Sequence, residues 1–183
     1  MYPEVRILDI WQEWKQETGL PVDVPRLAID LECRVNPVSP MPGCIELLRS
    51  LKQRGLVLGI VSNAQFYTPL LFSAFFGKTV EQCGFDPDCC IWSFEERKAK
   101  PSAELFPKAG KSLREKHHIG SNETVYAGND MLNDIHCAKL AGCKTVLFAG
   151  DQRSLRLREN DERCLAIQPN AVITSLPQLL EIL

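Results

Sequence analysis

The chain has 183 residues, of which 45% are hydrophobic and 24% are charged, with a formal net charge of −2. This composition is typical of a globular protein with one ordinary domain and a small appendage, and it excludes a disordered or fibrous chain. No basic stripe supports binding to nucleic acid, and no apolar run in the sequence is long enough to cross a membrane. We therefore expect neither nucleic acid nor a membrane among its partners.

Eight cysteines are present, and no two of them have C-x-x-C spacing. Structural zinc sites are usually marked by such closely spaced pairs, so the sequence gives no indication of one. The first residues also lack the apolar segment of a secretion signal. We therefore expect a cytoplasmic protein whose cysteines are mostly reduced and packed in the core.

Residues 1–38 are predicted to form a small helical domain. Four apolar residues recur there at helical spacing: Val5, Leu8, Trp11 and Trp14. Gly19 ends this helix, and a second apolar stretch at residues 27–35 predicts another one. Residues 36–43 contain three prolines, a composition that is typical of a linker.

Residues 39–183 are predicted to form a larger domain in which helices and strands alternate. Apolar runs predict strands at residues 56–61, 89–92, 124–127, 144–148 and 171–173. Amphipathic segments predict helices at residues 42–54, 67–76, 102–117, 131–141 and 176–183. This alternation predicts the α/β class, with a Rossmann-like open parallel sheet that carries helices on both faces.

Polar residues follow two of the predicted strands, at the edge where such sheets hold their ligands. Ser62 and Asn63 come directly after the first strand. A hydroxyl at this position can hold a phosphoryl oxygen together with backbone N–H groups. The alternative is that Ser62 or Asn63 only caps the next helix.

The third strand is followed by Gly128, and then by Asn129, Asp130 and Asp134. Asp130 and Asp134 are four residues apart, so on a helix they share one face and repel each other unless a cation lies between them. Mg²⁺ is commonly bound by one or two carboxylates, which makes this segment a candidate magnesium site. The alternative is an acidic first turn that the helix dipole favours.

Lys100 precedes Pro101, which restricts the backbone of the lysine and so directs its side chain. A lysine in this position could neutralise a phosphate or a carboxylate. Alternatively, Lys100 is an ordinary solvated lysine ahead of a helix.

Taken in order, Ser62-Asn63, Lys100-Pro101 and the segment 128–134 resemble motifs II, III and IV of the haloacid dehalogenase-like (HAD-like) superfamily. The resemblance covers roughly residues 40–183. It implies a phosphatase that forms an aspartyl-phosphate, uses Mg²⁺ and acts on a small phosphorylated substrate. By this resemblance, residues Ser62 and Asn63 would bind the phosphoryl group, Lys100 would be catalytic, and Asp130, Asp134 and Asn129 would serve the metal.

The sequence departs from the family pattern at the nucleophile. No apolar strand is followed by Asp-x-Asp, and the nearest candidates are Asp9 and the Asp30-Leu31-Glu32 segment. The family pattern also has an aspartate where this chain has Asn129, which leaves open whether Asn129 or Asp130 would face the metal. We expect the chain to begin inside the helical cap and to lack the first strand of the core.

Two functions follow from this departure. The first is a HAD-like phosphatase that is inactive as this chain and binds Mg²⁺ weakly. The alternative is a non-enzymatic domain that binds a phosphorylated ligand or a protein partner through the surviving site. A nucleotide-binding α/β domain is less favoured, because the sequence has neither G-x-G-x-x-G nor a P-loop.

Overall fold

The computed structural model describes residues 2–102 and 104–183. The chain begins with two helices, α1 (Ile7–Thr18) and α2 (Val24–Val35), which pack against each other. α1 ends at Gly19, which adopts a φ of 67° that favours glycine. α2 begins after Asp23, whose side chain accepts a hydrogen bond from the Arg26 N–H. The two helices agree with the sequence, while the domain boundary at residue 38 stays a prediction.

Within these two described ranges, five strands form two parallel sheets. They are β1 (Leu58–Ser62), β2 (Phe85–Trp92), β3 (Val125–Gly128), β4 (Lys144–Phe148) and β5 (Ala171–Ile173). β1 pairs with β2, and β3, β4 and β5 pair in that order. Within residues 2–102 and 104–183, no strand lies between β1 and β3 and joins the two sheets. The predicted parallel α/β architecture is therefore confirmed, but its strands form two sheets rather than one.

In the same described ranges, seven further α-helices accompany the strands: α3 (Cys44–Gln53), α4 (Leu70–Phe76), α5 (Ser93–Glu96), α6 (Leu105–His117), α7 (Cys137–Leu140), α8 (Glu162–Leu165) and α9 (Leu179–Ile182). The described part of the chain also has 3₁₀ turns at Ser121–Glu123 and Leu176–Gln178. The helices α5 and α8 were not expected, because four residues are too few for a helical period to show in the sequence. Across the described residues, no helix is long and apolar enough to cross a bilayer.

The helix predicted over residues 131–141 differs from the observed one. Met131–His136 is π-helical and continues into α7. The carbonyl oxygen of Asp130 accepts hydrogen bonds from the N–H groups of both Asp134 and Ile135, at 2.9 and 3.1 Å, which widens this turn. Such widened turns are frequent at functional sites.

Helices cover both faces of the second sheet. Val146 of β4 packs with Leu47 and Leu51 of α3, whereas the next residue, Leu147, packs with Met131 and Ile135. A further cluster joins β1, β2, α6 and α7, with Leu105 only 1% exposed. Because this cluster also contacts Tyr126 of β3, α6 and α7 hold the two sheets together.

Candidate active site

Residues from both sheets meet where β1 and β3 end. The Lys100 Nζ atom lies 2.6 Å from Asp134 Oδ1, 2.9 Å from the carbonyl oxygen of Val61 and 3.0 Å from the Tyr126 hydroxyl. The side chains of Lys100 and Asp134 are only 7% and 9% exposed. An ammonium group has three N–H donors, so these three acceptors satisfy Lys100 completely.

Asn63 positions Lys100. The Asn63 side chain donates to the carbonyl oxygen of Lys100 at 3.0 Å and accepts from the Lys100 N–H at 2.7 Å. The Lys100–Pro101 peptide bond is cis. Both polar atoms of the Asn63 amide are thus engaged with the backbone of Lys100. The hydroxyl of Ser62, by contrast, lies at the exposed end of β1 and donates only a long 3.2 Å bond to the Asn63 carbonyl oxygen.

Tyr126 is a site residue that the sequence did not single out. Its hydroxyl donates to the carbonyl oxygen of Val61 at 2.7 Å and so crosses the space between β3 and β1. Its ring packs edge-on against Phe106, with the centroids 4.8 Å apart. Burial and the nearby carboxylate of Asp134 raise the pKa of Tyr126 well above 10.0. The sequence did contain a signal for Tyr126, because a tyrosine hydroxyl in an otherwise apolar strand needs a hydrogen-bond partner when it is buried.

Asp134 shapes the turn that follows β3. Its Oδ2 atom accepts hydrogen bonds from the N–H groups of Asn129 and Asp130, both at 3.0 Å. Gly128 is needed here, because a Cβ atom on it would lie 2.4 Å from Asp134 Cγ. The Asp134 carboxylate therefore connects this turn to Lys100, which lies between α5 and α6.

Asp130 is held by contacts on both oxygens. It caps the π-helical turn by accepting from the N–H groups of Leu132 and Asn133, at 2.9 and 3.1 Å. Arg158 binds it with two nitrogens, the closest contact being 2.6 Å. Burial alone would raise the pKa of Asp130, but these hydrogen bonds outweigh it and lower that pKa. Arg158 lies 28 residues further along the chain, and no local pattern indicated it.

The third candidate metal residue, Asn129, donates from its side-chain nitrogen to the carbonyl oxygen of Ser154. Its amide oxygen is a neutral ligand of the hard type that Mg²⁺ prefers. The two acids of the site are each matched by a cation, Asp134 by Lys100 and Asp130 by Arg158. The site therefore offers a divalent cation suitable oxygen atoms but no net negative charge, and by themselves these residues fit magnesium poorly.

Neither of the two nucleophile candidates from the sequence follows a strand. Asp9 lies in the first turn of α1 and pairs with Arg97 at 2.8 Å. The Asp30-Leu31-Glu32 segment lies within α2, where Glu32 accepts a hydrogen bond from the Tyr67 hydroxyl at 3.0 Å. Their positions in helices disfavour both as attacking groups.

The first residues contact the same region through Glu4. Pro3 pairs with Lys98 in an antiparallel bridge, next to Lys100. The Oε2 atom of Glu4 accepts from the buried Ser93 hydroxyl at 2.7 Å, and that hydroxyl accepts from the Ala64 N–H at 2.9 Å. This chain of bonds supports the turn after β1. The sequence did not indicate it, because 89 residues separate Glu4 from Ser93.

The sequence model of one protein family, haloacid dehalogenase-like hydrolase, matches residues 5–148. A search of curated protein sequences gives no match.

Similar solved structures include three bacterial or archaeal proteins. An HAD phosphatase from Thermococcus onnurineus aligns with a TM-score of 0.65 and 19% identity over 94% of this chain and 69% of that one. For the Bacillus subtilis protein YfnB, whose structure is described as bound to magnesium, the TM-score is 0.61 and the identity 22%, over 91% of this chain and 66% of that one. A 2-haloacid dehalogenase from Pseudomonas syringae aligns with a TM-score of 0.60 and 18% identity, over 96% of this chain and 69% of that one. At these identities the likeness concerns the fold, and the chain spans about two thirds of each structure.

Proposed function

Because the chain belongs to the haloacid dehalogenase-like hydrolase family, we propose that it forms the phosphate-binding part of a phosphohydrolase for a small phosphorylated metabolite. The observation that supports this most directly is the buried pair of Lys100 and Asp134, 2.6 Å apart at the ends of β1 and β3. Ser62 ends β1 at the same edge. A hydroxyl and an ammonium group there suit the oxygens of a phosphoryl group.

We propose that the chain does not turn over phosphate esters by itself. Covalent phosphoryl transfer needs an attacking carboxylate, and Asp9, Asp30 and Glu32 all lie in helices. We also propose that Mg²⁺ binds only weakly, because Lys100 and Arg158 neutralise the two available acids.

A second candidate function is a domain that binds a phosphorylated ligand or a protein partner without chemistry. It is favoured by the hydrogen bonds of Lys100, because all three N–H donors of its ammonium group already have acceptors within the chain. A phosphoryl oxygen would have to replace one of these acceptors, for example the Tyr126 hydroxyl. Both candidates share phosphate binding at Ser62 and Lys100, and they differ in whether an added nucleophile restores turnover.

The shared part is tested by calorimetric titration with inorganic phosphate. We expect Ser62→Ala to weaken binding about tenfold or more, since a hydrogen bond to a charged group is worth about 1.5–3 kcal/mol. Ser73→Ala is the matched control, because Ser73 is an exposed serine in α4. Equal affinity of the wild type and Ser62→Ala, or no measurable binding, would contradict the proposed phosphate site.

The second test is turnover of para-nitrophenyl phosphate by the purified chain, with and without Mg²⁺. We expect no turnover above the buffer rate under either condition. Magnesium-dependent turnover that is lost in Asp130→Asn would show that the chain is an active enzyme. Asp130→Asn suits this purpose because asparagine retains an oxygen that can cap the following turn.

A further inference from the structure

Three side chains that commonly bind transition metals meet away from the candidate active site. Asp86 and Cys89 belong to β2, and His117 is the last residue of α6. The His117 Nε2 atom lies 2.6 Å from Asp86 Oδ2. One ligand atom from each of the three side chains lies within 4.8 Å of the others. β2 begins at Phe85 and Ser62 pairs with Trp92, so this cluster lies towards the opposite end of the first sheet from Ser62.

An irregularity in β2 brings Asp86 and Cys89 together. In a regular strand, residues three apart point to opposite faces. Here Leu58 of β1 pairs with Phe85 while Ile60 pairs with Cys90, so β2 has extra residues in this interval and bulges. Such bulges re-aim side chains.

The bulge lies against Gly59 of β1. A Cβ atom on Gly59 would lie 2.7 Å from the carbonyl oxygen of Cys89 and 2.9 Å from its Cβ. A larger residue at this position would push the bulge away, so the absence of a side chain at Gly59 helps to set the position of Cys89.

The donor set fits zinc. Zn²⁺ is bound by cysteine sulfur, histidine nitrogen and carboxylate oxygen, and three protein ligands leave one tetrahedral position for water. A Cys89 thiolate and the Asp86 carboxylate carry two negative charges, which a divalent cation balances. The nearby ammonium of Lys116 is paired with Asp88, so its charge is already compensated.

Cys89 is 1% exposed. A coordinated zinc ion deprotonates a cysteine ligand outright, so metal binding itself would supply the thiolate.

We propose that Asp86, Cys89 and His117 bind one zinc ion that ties the β2 bulge to the C-terminal end of α6. The sequence carries no C-x-x-C signature for this site, because two ligands are three residues apart in a bulged strand and the third is 28 residues further on. The site is separate from the proposed phosphate site. The proposed ion stabilises the first sheet against α6.

The test is titration of the metal-free, reduced chain with Co²⁺, which reports thiolate ligation by a charge-transfer absorption. We expect saturation at one equivalent and displacement by Zn²⁺ but not by Mg²⁺, since thiolate and imidazole disfavour magnesium. Cys89→Ala should abolish the charge-transfer band. His117→Gln, at a half-buried position, should weaken Co²⁺ binding. It replaces Cys89→Ala as the test variant if Cys89→Ala fails to fold.

The matched controls are Cys90→Ala and His118→Asn, which alter the neighbouring cysteine and histidine. Asparagine suits position 118, whose φ is 58°. Both controls should keep the wild-type absorption. Free zinc at 100 times its Kd should raise the melting temperature by about 5–10 °C in the wild type and the controls, but not in Cys89→Ala or His117→Gln. A wild type without the charge-transfer band, or a band that persists in Cys89→Ala, would overturn the proposal.

Discussion

Lys100 and Asp134 are buried together, so removing one charge leaves the other without a partner. We predict that Lys100→Met lowers the free energy of unfolding by about 3–5 kcal/mol, because an uncompensated carboxylate remains inside the protein. The measurement is urea unfolding. Lys98→Met is the matched control, since Lys98 and Glu104 form a surface pair with side chains 42% and 60% exposed. The control should change stability by at most about 1 kcal/mol.

The double variant Lys100→Met with Asp134→Leu tests whether the two side chains are energetically coupled. We expect it to be more stable than Lys100→Met alone, because it buries no unpaired charge. If the loss in the free energy of unfolding of the double variant equals the sum of the losses of Lys100→Met and Asp134→Leu, then Lys100 and Asp134 are not coupled in solution.

Tyr126 gives the site a dependence on alkaline pH. Its folded-state pKa lies well above the 10.0 of a free tyrosine, so folding favours the protonated phenol. The stability that this provides is fully present below pH 10 and is lost as the pH rises towards the folded-state pKa. We predict that above pH 10 the wild type loses up to about 1.4 kcal/mol per pH unit relative to Tyr126→Phe. Urea unfolding from pH 8 to about pH 11 measures the difference, and parallel curves would contradict it.

At the scale of elements, two glycines should respond to alanine in opposite directions. A Cβ atom at Gly59 would lie 2.7 Å from the Cys89 carbonyl oxygen, so Gly59→Ala must separate β1 from β2. We predict a loss of about 1–3 kcal/mol. Gly110 lies inside α6, where the nearest atom to a new Cβ is the flexible Arg114 Nη1 at 3.5 Å. Gly110→Ala should therefore stabilise the protein, by about 0.5–1 kcal/mol.

Urea unfolding of both alanine variants provides the comparison. A neutral Gly59→Ala would mean that the contact between β1 and the β2 bulge is looser in solution than it is here. Zinc should partly restore the stability of Gly59→Ala if the proposed metal site is present, because the ion would tie Asp86 and Cys89 of the bulge to His117.

At the scale of the whole molecule, β1 and β3 belong to separate sheets and do not pair with each other in the described part of the chain. A strand that paired with both would hold them roughly 10 Å apart. Side chains bridge the two strands instead, since Tyr126 and Lys100 both donate to the Val61 carbonyl oxygen. Two side chains cannot replace a complete ladder of backbone hydrogen bonds. β1 and β3 therefore present strand edges to each other, and such edges readily accept another strand.

We predict that a version of the chain with an added N-terminal segment, an apolar strand ending in Asp-x-Asp, is more stable and hydrolyses para-nitrophenyl phosphate. Each kcal/mol gained should raise the melting temperature by about 2–4 °C. The control carries Asn-x-Asn instead, and it should gain stability without turnover. Equal melting temperatures of the original and extended chains would contradict the argument from the open edges. A gain in stability without turnover in the Asp-x-Asp version would favour the binding domain over the enzyme.

The sequence by itself determined the order of elements in this protein. The short apolar runs at residues 144–148 and 171–173 predicted β4 and β5 with the observed bounds. β4 is buried from Thr145 to Leu147, whereas Val172 of β5 is exposed. Gly19 likewise marked the end of α1, since few other residues adopt its positive φ. The expectation for β2 was too short, because Asp86, Pro87 and Asp88 lie in its bulged part and interrupt the apolar pattern.

Only the tertiary structure decided which polar atoms meet. Strand-end position predicted that Ser62, Lys100 and Asp134 would lie near one edge, since parallel strands end together. It did not predict that Tyr126 would cross to Val61, that Arg158 would neutralise Asp130, or that His117 would lie beside Asp86 and Cys89. These partners are 28 to 65 residues apart. Their proximity follows from how the helices pack on the two sheets, and local periodicity carries no information about that packing.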